Sequence, residues 1–131
     1  FGTAFRNVGL SGDYGSSYFL PRIVGPTKAR ELFFSAEILD ASRALELGIV
    51  SCVVAGDDLL AEGLAFCAKL ATGPTAAYGR MKDNLAFAET ATLAELLDHE
   101  ATHQRLAGMS RDSREAVASF LEKREARFTG E

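Results

Sequence analysis

The sequence predicts an α/β protein carrying far more helix than strand, and three observations lead there. Apolar residues recur at helical spacing through most of its 131 residues. One β-branched run, Ile49–Val54 (IVSCVV), is continuous and apolar, so it reads as the one clear strand, buried or half-buried. A strand must pair with others. A lone strand therefore argues against an all-helical bundle and places its partners outside these residues. The opening Phe1–Gly2–Thr3, with no initiator Met, signal peptide or basic leader, enters mid-pattern and leads to the same expectation.

The elements follow in order. Ser16–Leu20 reads as a short helix that Pro21 should end. Pro26 suits the first turn of a second helix, with Ala29, Leu32, Phe33 and Ala36 as its apolar stripe. Asp40 can cap a third, whose Ala41, Ala44 and Leu45 face one way and which Gly48 stops. After the strand, Asp57 or Asp58 caps a long helix with Leu60, Leu64, Cys67 and Ala71 on one face. Thr72–Gly73–Pro74 breaks it, and the next helix buries Tyr78, Met81, Leu85 and Ala88. Thr92 and Glu95 form a capping box for the following helix. Asp112 and Glu115 are placed to form another for the last, whose stripe is Val117, Phe120 and Leu121.

Composition bounds the function classes. The chain is 47% hydrophobic and 24% charged, enough apolar material for a core and at odds with wholesale disorder. Fourteen basic against eighteen acidic side chains give a net charge of −4, without the phosphate-neutralising surface of a nucleic-acid binder. No apolar run reaches membrane-spanning length. Cys52 and Cys67 form no CxxC and read as small buried thiols of a reducing compartment.

Two motifs suggest chemistry. His99–Glu100–Ala101–Thr102–His103 (HEATH) matches the HExxH pattern, in which two imidazoles one turn apart bind zinc and a glutamate activates water. Its charged neighbours Asp98 and Arg105 count against a zinc hydrolase. The expectation is solvated helix side chains and no metal, with metal content as the deciding measurement. The second motif is Gly9–Leu20 (GLSGDYGSSYFL), in which Gly9, Gly12 and Gly15 surround Asp13. It is GxxGxxG, not the dinucleotide fingerprint, and no Walker lysine follows. Asp13 either caps the helix beginning nearby or faces a ligand for which the glycines clear room.

The Gly9–Gly15 turn, the run Leu20–Pro21–Arg22–Ile23–Val24–Gly25, the Ala29–Leu32 helix, Asp40–Ala44, Leu47–Val50 and the C-terminal stretch Ser113–Arg124 together resemble the enoyl-CoA hydratase/isomerase (crotonase) family. Ala116 stands where that family usually has glycine. The resemblance spans the whole chain but corresponds to about the C-terminal half of the crotonase-like (ClpP/crotonase) fold. It implies residues 1–56 as the end of an α/β core and 57–131 as a helical, trimer-forming region. It also implies a missing N-terminal half, a homotrimer or hexamer, a cytoplasmic setting in fatty acid metabolism, and no cofactor beyond the coenzyme A of the substrate.

By the same resemblance, the chemistry stabilises an enolate at two backbone N–H groups, which lie in the absent half. A hydratase's second glutamate falls at Phe5, which cannot carry a proton. Asp13 falls where dienoyl-CoA isomerases, ring-opening isomerases and aryl-CoA dehalogenases place a working aspartate. Asp13 is thus the candidate acid/base, desolvated by Phe5, Tyr14, Tyr18 and Phe19. Phe5, Gly12, Tyr14, Ser17, Phe120 and Lys123 are candidate substrate contacts, Lys123 toward a phosphate, with core packing as the competing reading of Phe120. A non-catalytic binding or assembly protein of the same family is the alternative function; the zinc hydrolase is the remote one.

Overall fold

The computed structural model describes residues 1–131 and divides into two compact units, Phe1–Asp58 and Leu59–Glu131. No helix is long and apolar enough to cross a membrane.

In the first unit a 3-10 helix, Ala4–Val8, precedes α1 (Ser16–Val24), α2 (Pro26–Ser35) and α3 (Ala41–Glu46). Pro21 lies inside α1, which runs on to Gly25. The ring removes one i to i−4 bond, but α1 packs along α2, and that contact carries the helix one turn further. Pro26 opens α2 as expected, and Ala29, Leu32 and Ala36 are buried. Leu39 and the fully buried Ala44 complete this core. Asp40 caps α3 by accepting from the Arg43 N–H at 2.8 Å, and Gly48 follows in the left-handed region.

The strand expected at Ile49–Val54 does not form. Ile49 and Val50 instead turn their N–H groups back to the Ala44 carbonyl, at 2.9 and 3.4 Å, and the residues beyond meet no neighbouring strand. The one ladder contact is an antiparallel bridge between Gly2 and Ile38. β-propensity marked a segment fit to pair; pairing needs a second strand, which these residues do not supply.

In the second unit a 3-10 turn, Gly56–Asp58, leads into α4 (Leu59–Ala71), so Asp57 and Asp58 lie within that turn. Then come α5 (Thr75–Ala88), α6 (Leu93–Gly108) and α7 (Arg111–Glu122). Helix α5 packs on α6, and α6 on α7. The capping box of α6 is complete: the Thr92 N–H donates to Glu95 Oε2 at 2.8 Å and the Glu95 N–H to Thr92 Oγ1 at 3.4 Å. Thr92→Ala should destabilise this helix by about 1 kcal/mol, seen as faster amide exchange in its first turn.

The box expected from Asp112 and Glu115 is not made, because the helix begins earlier. Ser110 is the N-cap, accepting from the Ser113 N–H at 3.0 Å. Asp112 is buried and holds the chain end instead, accepting from the N–H groups of Thr129 at 2.7 Å and Gly130 at 2.9 Å.

Several apolar stripes predicted as core are uncovered. Leu60, Leu64, Cys67 and Ala71 of α4 are exposed, as are Met81, Leu85 and Ala88 of α5. Tyr78 is half-buried. Val117, Phe120 and Leu121 of α7 are exposed, and so is Cys52. The expectation of two buried thiols therefore fails. Helical period identifies an apolar face correctly, but whether anything lies against it depends on the number of elements available.

Candidate functional site

The segment around Asp13 is a tight turn followed directly by a helix. The Asp13 carbonyl accepts from the Ser16 N–H at 2.9 Å. Tyr14 and Gly15 between them are both left-handed, with φ of 50° and 73°, as in a type I′ turn. That conformation is natural for Gly15, while for Tyr14 it costs on the order of 1 kcal/mol or more. The N-cap of α1 is Gly15, without a side-chain cap. Asp13 lies two residues too early to cap, because the chain turns once before the helix starts. The Asp13 carboxylate is exposed and has no hydrogen-bond partner within the chain.

The desolvating aromatics do not enclose it. Tyr14 is 96% exposed, and Tyr18 and Phe19 are also exposed. Tyr18 instead lies under the Arg22 guanidinium, 3.4 Å from its ring centroid. Phe5 is half-buried in its 3-10 helix and stacks on Phe33, centroids 6.3 Å apart.

Phe33 ties three of the predicted contacts together. Besides Phe5, it stands 3.3 Å from where a Cβ on Gly12 would lie. Gly12 has φ of 117° and is closed in on its other sides by the hydroxyls of Ser16 and Ser17, also at 3.3 Å, so only glycine fits without displacement. Phe33 and Ser17 then line an open groove of about 310 Å³ with Ser11, Pro21, Ala29 and Arg30. The structure thus brings Phe5, Gly12 and Ser17 together, with Asp13 next to Gly12 and Tyr14 at the tip of the turn. A separate apolar recess of about 240 Å³ includes Phe1, Phe19, Leu20 and Ile23, and beside it the buried Ser16 Oγ lacks a partner.

Phe33, Arg30 and Ser11 are groove residues that the sequence reading did not single out. Phe33 was legible as part of an apolar stripe, which by itself says core. Only its stacking on Phe5 and its approach to Gly12 give it a place at the site.

The second unit holds Phe120 and Lys123 at the end of α7. Phe120 is 82% exposed, so the core reading fails within the chain. Lys123 is left-handed with φ of 54°, and the Arg124 N–H reaches the Ser119 carbonyl at 3.0 Å, a Schellman ending with lysine in place of the usual glycine. Arg124 then binds both Glu115 oxygens, Nη1 to Oε1 at 2.6 Å and Nη2 to Oε2 at 3.0 Å, and the Arg127 N–H adds a bond at 2.9 Å.

The Arg124 bonds, helped by the Arg127 amide, hold the Glu115 carboxyl down at about 2 from its ordinary 4.5. The clamp's contribution is complete above 4.5 and disappears as pH falls through about 2. An NMR titration should give the Glu115 carboxyl a midpoint near 2, and Glu115→Gln should flatten the acid dependence of stability across that window.

The fold and site can now be set beside known proteins. The family profile described as enoyl-CoA hydratase/isomerase matches residues 1–131. The chain is 41% identical over 130 residues to the 1,2-epoxyphenylacetyl-CoA isomerase of Escherichia coli (strain K12), covering 99% of this chain and 50% of that protein. It is 34% identical to the trans-2-decenoyl-[acyl-carrier-protein] isomerase of Streptococcus mutans, covering 97% of this chain and 48% of the relative. The crystal structure of an enoyl-CoA hydratase/isomerase from Cupriavidus metallidurans CH34 superposes with a TM-score of 0.89 at 31% identity, over 97% of this chain and 48% of that one. The helix-rich units with their glycine turn are therefore a portion of the crotonase-like fold. The chain belongs to the enoyl-CoA hydratase/isomerase family and spans about half the length of the curated relatives it matches.

Proposed function

We propose that this chain forms the C-terminal half of an acyl-CoA-processing enzyme that shifts a double bond in an unsaturated acyl-CoA, with Asp13 as the acid/base group. The observation carrying this is the uncommitted Asp13 carboxylate at the start of a strained turn, in a chain of this family. Isomerisation is favoured over hydration because Phe5 stands where a hydratase needs its second glutamate. The similarity to the Streptococcus mutans isomerase, named for an unsaturated acyl group, supports this reading.

In this reading the Asp13 carboxylate takes a proton from one carbon of the acyl chain, leaving an enolate that two backbone N–H groups of the complementary half stabilise. The resulting carboxylic acid returns that proton to another carbon, so atoms and charge balance over the cycle. Gly12 gives the acyl chain close access to the backbone, and Phe5, Tyr14 and Ser17 border it. The desolvation Asp13 needs comes from the acyl chain and the complementary half. No cofactor takes part beyond the coenzyme A carried by the substrate. Phe120 and Lys123 meet the coenzyme A portion, Lys123 at a phosphate, in the same or a neighbouring subunit.

The uncovered surface supports the need for further protein. Within the second unit, Leu60 and Leu64 of α4, Met81 and Leu85 of α5 and Phe120 and Leu121 of α7 are all exposed. The complementary half and a trimeric or hexameric assembly would cover the apolar faces of α4, α5 and α7. A cytoplasmic setting and a place in fatty acid metabolism complete the reading.

The test offers crotonyl-CoA and a β,γ-unsaturated acyl-CoA to the complete protein and follows each by absorbance. Turnover of the β,γ-unsaturated ester supports the isomerase. Binding of both esters with turnover of neither would favour a non-catalytic member of the family instead.

A further inference from the structure

The HEATH segment has a geometry its sequence did not suggest. His99 and His103 lie one turn apart on α6 and are half-buried. Phe87 of α5 stacks on His99 at 4.4 Å, and the two imidazoles are 4.3 Å apart. Both turn Nε2 to the same atom, Asp83 Oδ2 of α5, at 3.2 Å from His99 and 3.5 Å from His103. The expectation of solvated, independent side chains is therefore not what the fold produces.

Three ligand atoms, two imidazole nitrogens and one carboxylate oxygen, lie within 4.8 Å of one another. With metal–ligand bonds of about 2.0–2.1 Å, the edge of a tetrahedral coordination shell is about 3.3–3.4 Å. The two distances to Asp83 bracket that edge. His103 Nδ1 lies 2.6 Å from Asn84 Oδ1, a contact that orients the ring with Nε2 toward Asp83. Either a ring proton or a metal ion fits between His103 Nε2 and the Asp83 carboxylate, and a metal there would gather both imidazoles on one ion. Asp83 is exposed, so an ion can enter from solvent and keep a water as its fourth ligand.

We propose that Asp83, His99 and His103 form a binding site for a divalent transition metal, Zn²⁺ by ligand type, that clips α5 to α6. Asn84 is its positioning residue. Glu100, the water-activating position of the sequence motif, is exposed on α6, and the site is proposed only as one that holds an ion. This proposal is independent of the acyl-CoA reading.

The experiment titrates Zn²⁺ into the complete protein carrying Cys52→Ser and Cys67→Ser, which removes these exposed thiols as competitors. One zinc per chain should survive dialysis. Each of Asp83→Asn, His99→Ala and His103→Ala should weaken binding by about tenfold or more, and Asn84→Ala by about tenfold. Circular dichroism of each variant reports whether the helices are retained. X-ray absorption of the zinc-loaded parent should show two imidazole scatterers, a readout that holds even if a variant unfolds. Absence of stoichiometric zinc at micromolar free metal, or a zinc without two imidazoles, overturns the proposal. So does an affinity unmoved by the substitutions.

Discussion

Asp13→Asn in the complete enzyme should lower kcat for double-bond migration by a factor on the order of a hundred or more, with KM changed little. The substitution is well matched to the structure. The Asp13 bond to the α1 entrance runs through its backbone carbonyl, so the amide variant keeps the turn, and no capping interaction is lost. The carboxylate has no partner within the chain that would be left unsatisfied. Circular dichroism and thermal stability should therefore match the parent while turnover collapses. A stability loss with retained turnover would reassign Asp13 to structure.

The second large effect is structural. Asp112→Ala removes a buried carboxylate that accepts from two backbone N–H groups and lies 3.4 Å from Thr129 Oγ1. Hydrogen bonds to a charged acceptor stabilise by about 1.5–3 kcal/mol each, and buried donors left behind add to the cost. The Thr129–Gly130 segment should loosen from α7 while Glu131 stays held by the Asp112 N–H and Arg111, with a loss of about 3 kcal/mol in its local opening free energy. Hydrogen exchange at Thr129 and Gly130 should then accelerate by roughly a hundredfold, while the first turn of α6, secured by Thr92 and Glu95, should be unaffected.

What the sequence made legible divides along a physical line. Local features with their own chemistry appear where the residues put them. The α6 capping box, the Asp40 cap and the Pro26 start each depend on atoms within a few residues. Features that depend on what lies opposite were not readable. Ile49–Val54 has strand chemistry without a strand to meet, and Leu60 and Leu64 form an apolar face without a cover.

The site divides in the same way. The glycine turn with Asp13 was visible because glycine and aspartate have few other reasons to cluster. That Asp13 stands clear of the helix cap depends on one extra turn, fixed by left-handed Tyr14 and Gly15. Phe33 and Asp83 were invisible as functional residues. Each joins its partners across a helix pair, at a separation no local pattern encodes.

The most direct measurement is a crystal structure of the complete protein with an unreactive β,γ-unsaturated acyl-CoA analogue. The account predicts an Asp13 carboxylate oxygen about 3–3.5 Å from the carbon that loses its proton, with Gly12 against the acyl chain. An Asp13 side chain folded back onto main-chain amides at the start of α1, beyond reach of every acyl carbon, would contradict it.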